Sequence, residues 1–173
     1  MYKIIFLIIF LLTIGCSDEK VFMAKGEFID DQNNKIGFVE IMQQGNGSNI
    51  KIFIKGMSPN DYYFNFHDKA SCNSPDFDSS GNKLIFFDDR ENLYKFRVSK
   101  EINRYTGKVK DFNKILFIEN IILDPSQSSS LLDSNLSSII ISKIDGTRII
   151  CSEIYPNYLN QLKLIAGLPY VAY

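Results

Sequence analysis

The chain has 173 residues, of which 45% are hydrophobic and 23% charged, a composition typical of one globular domain. Collagen-like, low-complexity and disordered chains are excluded. Lysines and arginines number 19 against 20 acidic residues, so the net charge of −1 provides no bulk attraction to nucleic acid. The single histidine excludes a site built from several imidazoles of one chain.

The N-terminus has the pattern of an export signal. Lys3 precedes an apolar run over 4–14 that is too short to span a bilayer as a helix. Residues 13–16, Thr-Ile-Gly-Cys, resemble the lipobox of bacterial lipoproteins. This resemblance implies a signal peptide over 1–15, lipidation of Cys16 and anchoring of an exported protein to a membrane of the cell envelope, facing the periplasm or the surface. The alternative is an ordinary secretory peptide that leaves a spare thiol.

Two further cysteines lie far apart in the sequence. In an oxidising compartment, Cys72 and Cys151 are free to pair once Cys16 is lipidated. No second cysteine or histidine lies within two to four residues of either, which is the spacing that zinc sites use. The sequence therefore predicts a disulfide.

The exported part of the chain is predicted to be mainly β-structure. Candidate strands are 27–29, 38–42, 50–55, 62–66, 94–98, 115–118, 121–123, 139–141 and 148–151. Asn46-Gly47 is a hairpin signal and 31–34 an earlier turn, whereas 73–82 and 126–138 are predicted loops. Short strands at this spacing favour an antiparallel sandwich or barrel. The predicted organisation is a linker over 16–25, a β-domain over 26–154 and an extension over 155–173.

The C-terminal extension is predicted to be helical. Apolar residues recur on one helical face over 157–166, where Asn157 can cap the start and Gly167 with Pro169 can end the helix. The helix either folds against the β-domain or docks on a partner.

Four segments carry a family resemblance. Residues 56–72 read Gly-Met-Ser-Pro-Asn-Asp-Tyr-Tyr-Phe-Asn-Phe-His-Asp-Lys-Ala-Ser-Cys, and 146–154 read Gly-Thr-Arg-Ile-Ile-Cys-Ser-Glu-Ile. These two resemble the disulfide-bearing segments of the copper/zinc superoxide dismutases. Segments 74–81 and 89–93 are more distantly similar to the same family. The resemblance implies a Greek-key β-sandwich or flattened barrel and pairs Cys72 with Cys151.

The family's metal ligands are mostly replaced. The resemblance assigns the four copper positions to Asn65, His67, Lys83 and Ser142, and the zinc aspartate to Asp89. Copper requires several nitrogen or sulfur donors, which an amide, an ammonium and a hydroxyl do not provide. The substitutions predict a chain without dismutase activity and without a bound cofactor. Residual copper or zinc binding, through His67 and Asp89, is the alternative.

The remaining family-equivalent positions leave several alternatives open. Arg148 matches the arginine of the family's active-site mouth, but there it also braces the disulfide-bearing loop. His67 is either a hydrogen-bonded structural residue or a ligand, alone or with Asp68. Lys83 and Asp89 are a candidate ion pair in the former metal region. The large rings of Tyr62 and Tyr63 are expected to fill the vacated cavity rather than to form a partner surface.

The sequence therefore predicts a superoxide-dismutase-like envelope lipoprotein with a structural or binding role. Its expected partners are a membrane, through the lipid anchor, and a second copy or another protein, but no nucleic acid. The alternative is a superoxide dismutase or copper/zinc-binding protein with a non-standard metal site around His67, Asn65 and Lys83.

Overall fold

Eight β-strands lie within the part of the chain that the structure describes. The computed structural model describes residues 21–86, 94–102 and 111–158. The strands are β1 (Met23–Asp30), β2 (Lys35–Gln44), β3 (Gly47–Ile54), β4 (Asn60–His67), β5 (Tyr94–Val98), β6 (Phe112–Glu119), β7 (Ser137–Lys143) and β8 (Arg148–Pro156). A short 3-10 helix, Asp78–Ser80, lies in the connection between β4 and β5. In this structure β1 begins before the expected domain start at 26 and β8 ends after the expected end at 154.

All strand pairs are antiparallel and follow the order β5-β4-β7-β8-β1-β2-β3-β6. The neighbours β4–β7 and β3–β6 are not consecutive in sequence, which is the crossing pattern of Greek-key folds. The rings of Phe96 on β5 and Phe112 on β6 pack with centroids 4.7 Å apart, so the two edge strands approach each other. The sheet is therefore a nearly closed barrel, and the predicted all-β fold class is confirmed.

The core lies inside the barrel because alternate residues of each strand face inward. Ile50, Ile52 and Ile54 of β3 are fully buried, and Phe64 and Phe66 of β4 pack edge to face at 5.1 Å. Tyr62 also faces inward, stacks on Phe96 and donates its hydroxyl to the Ser58 carbonyl at 2.8 Å. Tyr62 therefore fills the barrel interior.

The β2–β3 hairpin is present, with a turn one residue earlier than predicted. Gln44 pairs with Gly47, so the two turn residues are Gly45 and Asn46 rather than Asn46 and Gly47. Gly45 has φ 59°, and a glycine with positive φ at the first turn position is the requirement of a type II′ hairpin.

The predicted strand over 121–123 is wrong. Ile121 and Leu123 are fully buried, but β6 ends at Glu119 and the next residue, Asn120, has φ 59°. The amide of Leu123 donates to Gln43 Oε1 at 2.7 Å instead of to a neighbouring strand. The segment is thus buried through Ile121 and Leu123, but the side chain of Gln43, and not a strand ladder, accepts the Leu123 amide.

The predicted signal peptide and most of the predicted C-terminal extension lie outside the described residues. The predicted helix over 157–166 is described only as far as Tyr158, and Cys16 precedes the first described residue. Within the ranges that the structure covers, no helix is long and apolar enough to span a membrane.

Candidate functional site

Three of the four positions that the resemblance assigns to copper lie on the outer face of β4 and β7. Asn65 and His67 are two residues apart on β4, so both point away from the core. In the register with β7, His67 lies opposite Ser138, and Tyr63 lies opposite Ser142. Ser142 is consequently a diagonal neighbour of Asn65. We refer to Asn65, His67, Ser138 and Ser142 as the outer polar cluster.

Lys83 reaches the same place from the following loop. Its backbone forms an isolated antiparallel bridge with His67, and the next amide, of Leu84, donates to the Phe66 carbonyl at 2.8 Å. The structure thus brings the four assigned copper positions, three of which are replaced, to one side of the barrel. Asp89 lies outside the described residues, so the predicted Lys83–Asp89 ion pair remains a prediction.

His67 is buried and fixed by the loop over 73–82. Its Nδ1 lies 3.1 Å from the Gly81 carbonyl oxygen and 3.2 Å from Ser80 Oγ. Because a carbonyl only accepts, Nδ1 carries the hydrogen and donates it, which leaves the Nε2 lone pair available. Burial lowers the pKa of His67 below its ordinary value, and the positive charge of Arg148 acts in the same direction. The neutral imidazole is therefore the favoured form.

Arg148 braces the same loop from β8. Its Nη1 donates to the Phe77 carbonyl at 2.9 Å and to Ser80 Oγ at 3.3 Å, and lies 3.4 Å from Asp78 Oδ1. Ser80 Oγ thus lies between the imidazole and the guanidinium. These contacts account for Arg148 as a structural residue, which is one of the two roles that the resemblance allowed.

The predicted disulfide joins Cys72 to Cys151 and anchors the start of this loop. Cys151 is fully buried and pairs in register with Ile140 of β7. Phe77, also fully buried, packs in the same apolar cluster. The amide of Cys72 donates to Glu153 Oε1 at 3.0 Å, which adds a second connection to β8.

The residues of the outer polar cluster do not fit a copper centre. Asn65 is 7% exposed, and its Oδ1 has no hydrogen-bond partner within the described ranges; the same is true of Ser138 Oγ. An amide oxygen and hydroxyls are hard donors, whereas copper prefers imidazole and sulfur. Across residues 21–86, 94–102 and 111–158 no group of three or more His, Cys, Asp and Glu side chains could hold a metal ion.

The structure also describes the surroundings of Asp68 and Tyr63, for which the sequence suggested roles. Asp68, proposed as a co-ligand of His67, instead accepts the Asn82 amide at 2.8 Å, while its second oxygen lies 3.3 Å from Asn82 Nδ2. Tyr63 is half-buried on the outer face, so only Tyr62 lies inside the barrel.

Ser80, Gly81 and Ser138 are site residues that sequence reasoning missed. No local signal distinguishes Ser80 from the other serines of the loop, because its two partners are 13 and 68 residues away. Gly81 has φ 79°, and a Cβ there would lie 2.0 Å from Asp68 Oδ1. The glycine that follows two serines was therefore the one feature of the sequence that indicated a backbone position without room for a side chain.

The sequence matches no protein-family model and no curated protein. Among solved structures it is similar to a SOD-like protein from Bacillus subtilis, with 23% identity, a TM-score of 0.61, and coverage of 75% of this chain and 96% of that chain. A proline-to-histidine variant of that protein matches with 21% identity and a TM-score of 0.62, over 75% of this chain and 95% of the variant. A double variant, which adds a tyrosine-to-histidine change, matches with 21% identity and a TM-score of 0.61, at the same coverages.

These similarities establish the fold. The chain has the barrel of SOD-like proteins, and the resemblance predicted from its two cysteine-bearing segments is confirmed at that level. The Cys72–Cys151 disulfide is confirmed with it.

Proposed function

We propose that this chain is an exported, lipid-anchored protein in which the metal region of a superoxide-dismutase-like fold serves a structural or binding role without dismutase activity. The observation that carries the proposal is that a single imidazole, His67, remains among the four copper positions that the resemblance assigns. Asn65 and Ser142, each 7% exposed, occupy two of these positions with amide and hydroxyl groups.

The hydrogen bonds of His67 support a structural role for the remaining ligand position. Its Nδ1 is held by the Gly81 carbonyl, and Ser80 connects it to Arg148. Redox cycling of copper depends on several soft or imidazole donors. One imidazole beside an amide oxygen provides neither the affinity nor the geometry for this reaction.

The test is metal content measured together with superoxide turnover. The exported chain, refolded with its disulfide intact and dialysed against Cu²⁺ and Zn²⁺, should retain less than stoichiometric copper and leave the decay of superoxide at its uncatalysed rate. His67→Ala is the matched variant. Stoichiometric copper with turnover that His67→Ala abolishes would contradict the proposal.

The lipid anchor is tested separately. Mass spectrometry of the protein from bacterial membranes should find a diacylglyceryl-modified Cys16 as the first residue, and Cys16→Ser should move the protein to the soluble fraction. Cleavage at another position with an unmodified Cys16 would contradict this part of the proposal and leave the metal argument untouched.

A single-imidazole metal site is the second candidate function. Metal-binding histidines usually donate their other ring nitrogen to a backbone carbonyl, as His67 does toward Gly81. Saturable Zn²⁺ or Cu²⁺ binding that is lost in His67→Asn, but kept in Asp68→Asn, would support this candidate. Binding unaffected by His67→Asn would exclude it.

A further inference from the structure

Two large apolar side chains project into solvent from the edge strand β6. Ile115 is 67% and Phe117 52% exposed, and because they are two residues apart on one strand they point to the same side of the sheet. Within residues 21–86, 94–102 and 111–158, no other strand carries two exposed large hydrophobic side chains. Such a pair is typical of a contact surface rather than of scattered surface residues.

The neighbouring strands extend this apolar surface. Phe53 of β3 is a diagonal neighbour of Ile115, because it pairs in register with Asn113. The ring of Phe53 stacks on Phe38 of β2 with centroids 5.3 Å apart. The apolar side chains thus lie together on the outer side of three adjacent strands. We refer to Phe38, Phe53, Ile115 and Phe117 as the outer apolar face.

Lysines outnumber acidic residues on the strands that carry this face. Residues 35–55 and 112–119, which include β2, β3 and β6, contain four lysines and two glutamates, a net charge of +2, whereas the whole chain has a net charge of −1. Lys51 pairs with Glu40, but Lys55 and Lys114 are exposed and neither forms an ion pair within the described ranges. Exposed apolar groups beside free positive charge are suited to an anionic lipid surface.

A second protein fits this face less well than a lipid surface does. Specific protein interfaces bury about 800 Å² on each partner, from about 20–30 residues. The outer apolar face has two exposed and two half-buried side chains, which provide a small part of that area. A domain tethered to a bilayer needs less contact, because the tether keeps the face at a high effective concentration near the lipid.

The start of β1 lies close enough for the anchor and the face to meet one membrane. Met23 follows Cys16 by seven positions, so the intervening chain spans at most about 25 Å. In the strand register Met23 and Phe117 lie in one row across β1, β2, β3 and β6. The three strand spacings add up to about 14 Å. The tether is therefore longer than the distance that it has to cover.

We propose that the outer apolar face lies against the membrane to which the chain is anchored, with Ile115 and Phe117 among the lipid headgroups and Lys55 and Lys114 beside anionic ones. This inference rests on the lipid anchor proposed above and adds an orientation of the barrel. In the order of the eight strands β7 lies four positions from β3, on the opposite wall. The outer polar cluster on β4 and β7 consequently faces away from the membrane.

Tryptophan fluorescence tests the contact, because the chain contains no tryptophan. Phe117→Trp and Ile115→Trp each place one reporter on the face, and Ile144→Trp, in the turn after β7, is the matched control at a position that is 53% exposed. Each exported chain is attached through Cys16 to a maleimide lipid in vesicles of phosphatidylcholine and phosphatidylglycerol. Brominated lipid should quench the two face reporters several-fold more strongly than the control. Equal quenching at the three positions would overturn the proposal.

The synthetic attachment separates this inference from the proposed natural anchor. Cys16 is the one thiol left for the maleimide, because the other two cysteines form the disulfide. The fluorescence result is therefore independent of whether a cell lipidates Cys16. A diacylglyceryl group found on Cys16 together with equal quenching would leave the anchor intact and overturn the orientation.

The role of the lysines has its own matched pair of variants. Lys55→Gln/Lys114→Gln should lower the quenching of Phe117→Trp in the anionic vesicles, because the attraction to the headgroups is lost. Lys69→Gln/Lys143→Gln, which removes two exposed lysines on the side of β4 and β7, should leave it unchanged. Equal effects of the two pairs would overturn the assignment of Lys55 and Lys114 to anionic headgroups.

A second copy of the chain is the competing occupant of the face. The emission of Phe117→Trp is therefore also measured without vesicles over a range of protein concentration. We expect the emission of an exposed indole at every concentration. A shift to shorter wavelength that grows with concentration and is absent in Ile144→Trp would assign the face to a dimer and overturn the proposal.

Discussion

His67 is the residue at which burial, hydrogen bonding and charge act together. It is 5% exposed, and the Gly81 carbonyl, Ser80 Oγ and the Arg148 charge all lie close to it. Burial is the largest influence on the pKa of His67 and lowers it, and the charges of Arg148 and Lys83 act in the same direction. The hydrogen bond to the Gly81 carbonyl, which is the second-largest influence, and the carboxylate of Asp68 raise the pKa without outweighing burial. The folded state therefore holds a neutral ring that the unfolded chain would protonate more readily.

This asymmetry predicts a loss of stability on mild acidification. The ordinary pKa of 6.5 applies to the unfolded chain, and the folded pKa of His67 is lower, so the unfolded state binds more protons below pH 6.5. The free energy of unfolding should be constant above that pH and should decrease as the pH falls through the lowered pKa. Urea unfolding at several pH values between 8 and 5 measures this dependence.

The matched variant for this prediction is His67→Asn, whose amide nitrogen can still donate to the Gly81 carbonyl. Because the chain has no other histidine, this variant should flatten the decrease between pH 6.5 and 5. An unchanged slope in His67→Asn would mean that another group causes the acid sensitivity.

Arg148 should contribute to stability through the loop that it holds. Replacing it in Arg148→Met keeps the aliphatic stem but removes the donors to the Phe77 carbonyl and Ser80 Oγ. Hydrogen bonds from charged groups contribute about 1.5–3 kcal/mol, so the free energy of unfolding should fall by an amount in that range. Urea unfolding at pH 7.5 measures it.

Arg97→Met is the control for Arg148→Met. Arg97 also makes two hydrogen bonds, at 2.6 and 3.0 Å, but both go to Asp61 on the solvent-exposed side of β4 and β5. An exposed ion pair contributes little because water screens it. A larger loss for Arg97→Met than for Arg148→Met would show that Arg148 does not brace the loop.

At the scale of elements, the loop over 73–82 decides the shape of the site. The disulfide holds its beginning, Arg148 its middle and the His67–Gly81 hydrogen bond its end. The loop has little regular structure beyond one 3-10 turn, so these side-chain contacts replace the strand ladder as its support.

Gly81 is the position in this loop where a larger residue should be most harmful. In Gly81→Ala the new Cβ would lie 2.0 Å from Asp68 Oδ1. The alanine would also have to keep the backbone at φ 79°. We expect a loss of more than about 2 kcal/mol in unfolding free energy, since a clash adds to left-handed strain of about 1–2 kcal/mol. Thermal and urea unfolding measure the loss.

Gly56→Ala separates the two causes. Gly56 has a similar φ of 69°, but its Cβ would have no neighbour within 4 Å. It should therefore show the backbone strain alone. Equal losses for the two variants would mean that contact with Asp68 has no energetic consequence.

The prediction of strands from the sequence succeeded where apolar and polar residues alternate within one segment. It failed where the backbone hydrogen bonds of a segment go to residues that are distant in the sequence. The alternating run 50–55 lies in β3 except for its last residue, and its inward isoleucines are buried. Residues 121–123 have equally apolar side chains, but Asn120 turns the chain, and Gln43 Oε1 accepts the amides of Leu123 and Asp124. No spacing rule in one segment can identify an acceptor about 80 residues away.

At the scale of the whole molecule, the disulfide connects the loop over 73–82 to the last strand across 79 residues of sequence. Closing a loop of that length restricts the unfolded chain by about 4–5 kcal/mol in the chain-entropy model. Cys72→Ala/Cys151→Ala should lose a comparable amount in urea unfolding.

Two comparisons accompany the disulfide prediction. The reduced unsubstituted chain should show the same loss as the double variant, whereas Cys16→Ser should show none, since Cys16 precedes β1. A double variant as stable as the oxidised chain would mean that the covalent link does not restrict the unfolded state appreciably.

The sequence by itself determined the fold class, through local patterns, and the disulfide, through the number of cysteines and the family resemblance. Period-two alternation and turn residues specify strands, and the two cysteines remain available for pairing in an oxidising compartment. It also determined that copper would lack its usual nitrogen donors, since the chain has one histidine.

Only the tertiary structure decided how the replaced positions are arranged and supported. Asn65, His67 and Ser142 come together through the β4–β7 register, and His67 receives its partners from a loop that folds back over the sheet. The outer apolar face arises in the same way, from strands whose outer sides meet only in the sheet. Contacts of this kind depend on distances between segments remote in sequence, which local residue patterns do not encode.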